Sequence, residues 1–179
     1  MNKTKITSAV GNLIKQTDCD AIVNSAHPSM LAGSGVCGVI HRATGKELEV
    51  YGKQFAPLKP NQAVITPAFN LNIKHIIHVS APRHHIAADP LGELAEALRK
   101  VFKLAEEHKI YKIALPAIGT GVYGYPMIEA VRVYTSVSWE FLGSEILEEI
   151  RFVFTETEPM ERMKSHLNQI GGNHTRAPL

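Results

Sequence analysis

Two short glycine-rich segments are the first features of this chain whose residue types and spacing could do chemistry. Both match the pattern G-x-G-x-x-G, and we call them the first loop (residues 33–38) and the second loop (residues 119–124). Glycines let the backbone approach an anion closely, and free N–H groups at the start of a following helix point at that anion. Either loop alone could be a simple tight turn, but the two together predict sites for two phosphates, or for one diphosphate held from both sides.

Two familiar uses of glycine loops are disfavoured by the residues around them. A dinucleotide site of Rossmann type needs an acidic residue about 20 positions after the first glycine, at the end of the next strand. Residues 51–54 read Tyr-Gly-Lys-Gln, and Glu140, which has about the right distance from the second loop, falls in a predicted helix. A Walker loop needs Gly-Lys-Ser or Gly-Lys-Thr, which the sequence lacks. Hydride transfer and nucleoside triphosphate hydrolysis are therefore disfavoured.

The first loop carries a thiol near an imidazole, whereas neither loop carries a carboxylate. Only three aspartates occur in the chain, and no Asp or Glu lies within residues 24–41 or 119–126. A general base therefore has to come from His27, because imidazole is the usual base near neutral pH, or from Cys37, whose thiol a helix N-terminus could acidify.

The same thiol and imidazole allow two sharper hypotheses and one plainer one. Cys37 could be a nucleophile with His27 as its base, or the pair could bind zinc together with Cys19 or His41. Zinc sites usually show C-x-x-C or H-x-x-x-H spacings, which the sequence lacks, so we expect no metal and no other cofactor. In the plainer reading, Cys37 fills space under the ligand and His27 is a polar residue of a lid.

Strand-like and helix-like segments alternate along most of the chain, which predicts an α/β fold with a largely parallel sheet and helices on both faces. Short β-rich segments predict strands over residues 21–24, 63–66, 74–80, 112–118 and 150–154. Helical spacing of apolar residues predicts helices over residues 38–44, 89–107, 127–141 and 159–169. Each glycine loop thus lies between a strand and a helix.

Composition describes a water-soluble globular chain, of which 45% of the 179 residues are hydrophobic. No stretch approaches the ~20 apolar residues that span a bilayer, and the N-terminus lacks a signal-peptide run. Two cysteines make no disulfide framework and fit a reducing compartment, so we expect the cytoplasm. The net charge of +2 comes from scattered Lys and Arg, which does not indicate a nucleic-acid footprint.

The length of the chain and its even composition predict one domain over residues 1–170. The sequence shows no internal repeat, low-complexity tract or linker that would divide it. Residues 171–179 begin with Gly-Gly and lack periodicity, so we expect a flexible C-terminal tail there. The oligomeric state does not follow from the sequence.

Five segments together resemble the motifs of the macro domain family, in the family's order and at its spacings. They are residues 11–13 (GNL), 20–26 (DAIVNSA), 33–41 (GSGVCGVIH), 76–78 (IIH) and 116–126 (PAIGTGVYGYP). The resemblance covers about residues 4–168 and is closest to the MacroD-like and O-acetyl-ADP-ribose deacetylase group. It implies a three-layer α/β/α sandwich with a mixed, mostly parallel central sheet, and a cleft at the strand ends that binds ADP-ribose or a derivative of it.

The resemblance also implies, by position, which residues contact ADP-ribose. The first loop would line the distal ribose and one phosphate through Gly33, Gly35, Val36 and Gly38. The second loop and its approach would cradle the diphosphate through Ile118, Gly119, Thr120, Gly121, Val122 and Tyr123. Asn12 and Leu13 fall at positions that would bind the adenine end. Asn24 would orient the distal ribose or hold the loop in place, unless it only ends its strand by bonding local backbone.

Several functional positions depart from the family pattern. Hydrolytic members of the most similar group carry Asn at the position of His27 and Asp at that of Cys37, and both are credited with positioning or activating the attacking water. Asn12 replaces an Asp that accepts from the adenine amino group, and no aromatic residue follows the last strand to stack on adenine. The candidate catalytic residues are therefore Asn24, His27 and Cys37.

Three functions stay open at this stage. The first is ADP-ribose binding with a degenerate catalytic loop, as a reader or as a slow or altered ADP-ribosyl hydrolase. The second is an active mono-ADP-ribosyl hydrolase or O-acetyl-ADP-ribose deacetylase that uses His27 or the substrate's own phosphate to activate water. In both, the partner is ADP-ribose or an ADP-ribosylated protein, with no membrane involved. The third is binding of another nucleotide or of RNA ends, which weakened adenine contacts would favour.

Overall fold

Six strands form one sheet in the computed structural model, which describes residues 4–174, with side chains described as far as residue 171. They are β1 (Lys5–Val10), β2 (Ala21–Ser25), β3 (Ala63–Pro67), β4 (His75–Val79), β5 (Lys112–Leu115) and β6 (Glu149–Phe154). Their order across the sheet is β1-β6-β5-β2-β4-β3. Every neighbouring pair is parallel except β3 with β4, so the sheet is mixed and mostly parallel, as predicted.

Helices cover both faces of this sheet within the described range. They are α1 (Gly35–Thr44), α2 (Lys46–Gly52), α3 (Pro90–Glu107), α4 (Met127–Glu140) and α5 (Thr157–His174). Local sequence explains their ends. The Asp89 carboxylate accepts a hydrogen bond from Gly92 N and Pro90 opens α3, while α1 stops at Gly45 with φ of 88°. None of these helices is long and apolar enough to cross a membrane.

The layers follow from the alternation of side chains along each central strand. One set of strand residues packs with α3, α4 and α5 in the larger core: Val23, Ile113 and Phe152. The preceding or following residue of each strand faces α1 and α2 on the other side: Ile22, Ala114 and Val153. Hydrophobic burial on both faces is what fixes the three-layer α/β/α arrangement, which confirms the predicted fold class.

The boundaries of several elements differ from prediction. Strand β1 and helix α2 were not predicted, because β1 is a half-exposed edge strand with little alternation and α2 is only seven residues long. Strand β5 ends at Leu115 because Pro116 cannot donate to the ladder. Helix α1 begins at Gly35 rather than residue 38, inside the first loop. Helix α5 continues to His174, past the Gly-Gly at which the tail was expected, and residues 175–179 lie outside the described residues.

The strand order brings the two glycine loops together. Strands β2 and β5 are neighbours in the sheet, and each leads into one of the loops. The chain then leaves in opposite directions, since β2 is followed by α1 on one face and β5 by α4 on the other. Such a switch point opens a crevice at the carboxyl ends of the strands, where open α/β sheets bind their ligands.

Candidate functional site

Both glycine loops line a single cleft of about 420 Å³ at the carboxyl ends of β2, β5 and β6. Its lining includes residues 34–37 of the first loop, residues 119–123 of the second loop, and residues 153–156, 158 and 159 at and after the end of β6. Tyr123 lines the cleft while its hydroxyl donates to Ala26 O at 3.2 Å, which ties the second loop to the end of β2. A cleft of this volume is suited to a small nucleotide-like ligand.

The backbone of both loops is open toward this cleft. Ser34 precedes α1, and its side chain makes no capping hydrogen bond to any described residue. The Ser34 side chain therefore leaves the N–H groups in the first turn of α1 available as donors. At Gly121, no atom of residues 4–174 other than its own and those of its two chain neighbours lies within 4 Å of an added Cβ. Gly119 has a different task, because its φ of 87° and the Tyr125 ring, 2.8 Å from an added Cβ, leave room for glycine alone. The arrangement is that of an anion site made of main-chain donors.

The predicted ligand residues divide into two groups by position. Those that line the cleft are Gly35, Val36, Gly119, Thr120, Gly121, Val122 and Tyr123, together with Cys37. Those outside its lining are Asn12, Leu13, Asn24, Gly33, Gly38 and Ile118. Their contact with a ligand stays a prediction, but several have visible structural tasks.

These structural tasks explain the sequence pattern around the loops. Gly38 allows the first loop to pack on α1, because an added Cβ would lie 2.4 Å from Gly33 O. Asn12 Oδ1 accepts from Ile14 N at 3.2 Å and so caps a short 3-10 turn. Ile118 is fully buried in the larger core.

A chain of buried hydrogen bonds holds Asn24 at the end of β2. Thr66 Oγ1 donates to Pro67 O at 3.0 Å, so His78 Nε2, 2.9 Å away, donates to Thr66. His78 Nδ1 then accepts from Asn24 Nδ2 at 3.1 Å. Burial lowers the pKa of His78 to about 3, which keeps this imidazole neutral. The Asn24 amide is thereby oriented by side chains and not by local backbone alone.

The orientation leaves one polar atom of Asn24 without a partner. Asn24 Nδ2 also donates to Cys37 Sγ at 3.7 Å, whereas Asn24 Oδ1 is buried and accepts from no described residue. A buried oxygen without a donor costs free energy. A hydroxyl or amine of a bound ligand would remove that cost.

Cys37 lies in the first turn of α1 and is 6% exposed on the cleft. Burial by itself would raise the pKa of its thiol. Hydrogen bonds from the His41 side chain and from the backbone N–H groups of His27 and Gly33 outweigh burial and lower the pKa below its usual value. Cys19, in the core under α1 and α2, is the contrast, since burial raises its pKa to about 11.

Two imidazoles are close to Cys37 along the chain, that of His27 before the first loop and that of His41 one turn later on α1. His27 is exposed, and its Nδ1 lies 2.7 Å from Ser29 Oγ and accepts from Ser29 N at 3.2 Å. His41 is nearly buried, and its Nδ1 lies 3.7 Å from Glu49 Oε1. The recorded contacts of the His27 ring are with Ser29, and the pairing of Cys37 with His27 through their side chains stays a prediction.

The zinc hypothesis finds no ligand cluster. Among the residues that the structure describes, no group of three or more His, Cys, Asp or Glu side chains could hold a metal ion. Cys19 packs in the core under α1 and α2, with 4% of its surface exposed. It is therefore not a ligand at the first loop.

Three carboxylates near the cleft were missed because they lie outside the two loops. Glu156 and Glu158 line the cleft just after β6. Glu49 lies on α2 behind the first loop, where its Oε1 accepts from Ala32 N at 3.1 Å. The position of Glu156 just past a parallel strand was a usable signal, since the carboxyl ends of such strands share one edge. Glu49 gave no such signal in the sequence, because α2 was not predicted.

Comparison with known proteins identifies the family. Residues 23–134, more than half of the chain, match the family described as Macro domain. The chain belongs to the macro domain family. A macro domain-containing protein of Caldanaerobacter subterraneus subsp. tengcongensis is 39% identical over 160 residues, which are 84% of this chain and 89% of that protein. The O-acetyl-ADP-ribose deacetylase of Salmonella gallinarum is 38% identical over 164 residues, which are 88% of this chain and 92% of that protein.

A solved macro domain has the same architecture. A mutant of the Oceanobacillus iheyensis macrodomain, solved with ADPR (ADP-ribose), matches this macro domain with a TM-score of 0.90 at 29% identity, and the match covers 96% of each chain. The predicted family and the predicted fold are therefore both confirmed.

Proposed function

We propose that this macro domain binds ADP-ribose, or a derivative of ADP-ribose, in the cleft between the two glycine loops. The observation that carries the proposal is that both loops line one cleft and turn unblocked backbone toward it. A diphosphate is the ligand group that two such sets of main-chain donors suit. The ADPR-bound Oceanobacillus iheyensis structure, with the same architecture, supports the assignment.

The strand order suggests how the ligand lies. Strands β2, β5 and β6 are consecutive in the sheet, and neighbouring strands are about 4.8 Å apart. With the diphosphate over the second loop at β5, the distal ribose lies over β2 near Asn24 and Cys37. Adenine then lies over β6, against Thr155 and Glu156. Such an orientation gives the unpartnered Asn24 Oδ1 a ribose hydroxyl to accept from.

Reader and hydrolase functions would both use this cleft, and the residues at its ribose end distinguish them. Within the proposal, we infer from the resemblance to the family that His27 and Cys37 stand at positions where hydrolytic members carry Asn and Asp. A water-activating pair of that type is therefore absent from the sequence at these positions. Binding requires no such pair, whereas hydrolysis requires a different activating group.

Titration calorimetry of the full chain with ADP-ribose, ADP and AMP tests the binding proposal. We expect ADP-ribose to bind at least tenfold more tightly than AMP, a difference of about 1.4 kcal/mol, because AMP lacks the diphosphate and the distal ribose. Affinity for AMP equal to that for ADP-ribose would contradict the proposal and favour the binding of another nucleotide or of RNA ends.

The variant Gly121→Glu tests where the diphosphate lies. Its side chain enters open space, so the fold should survive, while its carboxylate occupies the anion site and should abolish ADP-ribose binding. Gly143→Glu is the matched control, because an added Cβ there also meets no described atom within 4 Å and the residue is outside the cleft. Circular dichroism checks the fold of both variants. Unchanged affinity of Gly121→Glu would refute the placement.

A further inference from the structure

A second cavity, of about 390 Å³, lies beside the cleft at the carboxyl end of β4. Its position follows from the sheet, because the register sets Val79, the last residue of β4, between Ser25 of β2 and Ala63 of β3. Tyr123 lines both the cleft and the second cavity. The carboxyl ends of four consecutive strands, β6, β5, β2 and β4, thus carry two adjoining cavities.

Backbone hydrogen bonds hold the walls of the second cavity in place. His84 N donates to Tyr123 O at 2.9 Å, which fixes the segment after β4 against the second loop. Leu58 N donates to Pro28 O at 2.8 Å, which joins the segment after β2 to the one that leads into β3. These bonds form within the folded chain, so the second cavity does not depend on a ligand for its shape.

The lining of the second cavity is mostly apolar, with one charged side chain of each sign. It includes three prolines, three alanines and Ile86, which is 70% exposed. Glu93 is engaged at the start of α3, where its Oε1 accepts from Asp89 N at 3.4 Å. Arg83 is exposed and forms no ion pair with any residue in the described range. The second cavity thus presents an apolar surface beside a guanidinium that can pair with a carboxylate.

We propose that the second cavity binds the polypeptide to which ADP-ribose is attached, through an apolar side chain next to the modified residue and a carboxylate that pairs with Arg83. The inference rests on the proposed function, because the cleft must hold ADP-ribose for the attached polypeptide to reach this cavity. The cleft then recognises the nucleotide, and the second cavity recognises the residues around the attachment point.

The orientation of the ligand along the sheet leads to the second cavity. With adenine over β6 and the diphosphate over β5, the distal ribose lies over β2, and neighbouring strands are about 4.8 Å apart. ADP-ribose is attached to proteins through the anomeric carbon of the distal ribose, and this is the end of the ligand nearest to β4. One residue of extended chain spans about 3.5 Å, so a residue one or two positions from the modified residue lies over β4.

A polypeptide suits this lining better than a second phosphate group does. A phosphate site combines several donors, whereas Arg83 is the one cationic donor in the described lining. The Tyr123 hydroxyl already donates to Ala26 O. The prolines, the alanines and Ile86 favour burial of an aliphatic or aromatic side chain.

Calorimetry with the full chain and synthetic peptides tests this inference. Each peptide carries one ADP-ribose on its central residue through a linkage that does not hydrolyse, with Leu on both sides of that residue and Asp beyond each Leu. The symmetrical sequence makes the direction of the bound peptide irrelevant. Two matched peptides replace both Leu by Gly or both Asp by Asn. We expect the Leu-to-Gly change to weaken binding about tenfold and the Asp-to-Asn change to weaken it about threefold.

Two variants of the chain test whether the second cavity is the place of binding. Ile86→Ser should reduce the preference for Leu over Gly to below about threefold, and Arg83→Gln should bind the Asp and Asn peptides equally. Both side chains are exposed, so the fold should survive, which thermal unfolding checks. Val50→Ser and Arg132→Gln are the matched controls, since both residues are exposed and outside the lining of both cavities. Free ADP-ribose, which ends before the second cavity, should bind to the wild type and all four variants within about twofold.

The outcomes separate this inference from the proposed function. Binding of free ADP-ribose with equal affinity for the three peptides would overturn the inference alone. A preference for Leu that survives in Ile86→Ser, or for Asp that survives in Arg83→Gln, would overturn the corresponding contact. Peptides without ADP-ribose that bind as tightly as the modified ones would show a site unrelated to the modification and would also overturn the inference. Absence of binding by free ADP-ribose and by every modified peptide would overturn the proposed function, and this inference with it.

Discussion

At the residue scale, the buried amide of Asn24 is held by its nitrogen, while its oxygen stays available to a ligand. Register pairing between β2 and β4 sets Asn24 beside His78, and the neutral imidazole accepts from the amide nitrogen. Only the amide oxygen is left without a partner among residues 4–174. We therefore assign the selectivity for the distal ribose to this oxygen, within the proposed function.

Asn24→Ala should reduce the preference for ADP-ribose over ADP. ADP lacks the distal ribose, so its affinity should change less than twofold, while ADP-ribose should lose about tenfold because one hydrogen bond to a buried acceptor is worth about 1.4 kcal/mol. Calorimetry with both ligands measures the ratio, and thermal unfolding confirms that the variant is folded. If the ratio of the two affinities stays that of the wild type, Asn24 does not contact the distal ribose.

At the scale of elements, the first loop depends on close packing against the helix that it begins. The backbone of Gly33 approaches Gly38 so closely that an added Cβ would lie 2.4 Å from Gly33 O. By contrast, the second loop contains Gly121, which faces open space. Glycines of the same pattern thus have different tasks, since Gly38 and Gly119 allow close packing whereas Gly121 leaves open space.

Gly38→Ala should therefore destabilise the domain, whereas Gly121→Ala should not. Forcing a methyl group against a backbone carbonyl costs about 1–3 kcal/mol in a packed region. Urea unfolding of the two variants beside the wild type measures the difference, and Gly121→Ala is the control for a loop glycine with room for a side chain. Equal stability of all three proteins would show that the first loop relaxes without cost.

Element prediction succeeded where signals were local and failed where they were not. Strands β2 and β6 and helix α3 have compact apolar patterns with clear stops, and they were predicted within a few residues. Strand β1 is defined by its pairing with β6 and α2 by its packing beside α1, and neither leaves a strong pattern of its own. The same failure hid Glu49 from the predicted site.

At the scale of the whole molecule, buried His78 links stability to pH. Burial lowers its pKa to about 3 in the folded chain, against about 6.5 for an unperturbed His. Between about pH 6.5 and about pH 3, His78 binds a proton in the unfolded chain but not in the folded chain. The contribution of His78 to stability is therefore complete above about pH 6.5 and is lost as the pH falls from 6.5 toward 3.

The unfolding free energy should accordingly fall by about 2 kcal/mol between neutral pH and pH 5 through His78 alone, since each pKa unit is worth about 1.4 kcal/mol. Urea denaturation at about pH 7.5, which is above the window, and at about pH 6 and about pH 5, which are inside it, measures the slope. His78→Asn keeps an acceptor for Asn24 but does not titrate, so its slope should be shallower. Equal slopes would mean that another group dominates this range.

The sequence by itself determined the α/β class and the two glycine loops, because alternation of apolar segments and the spacing of glycines are properties of the chain read in order. Its five motifs carried the resemblance to the macro domain family. The tertiary structure decided which side chains meet. Glu49 reaches His41 only because α2 folds back beside α1, and Asn24 meets His78 only through the register of β2 with β4. Contacts between distant residues depend on how packed elements are placed in space, and no local pattern along the chain encodes that placement.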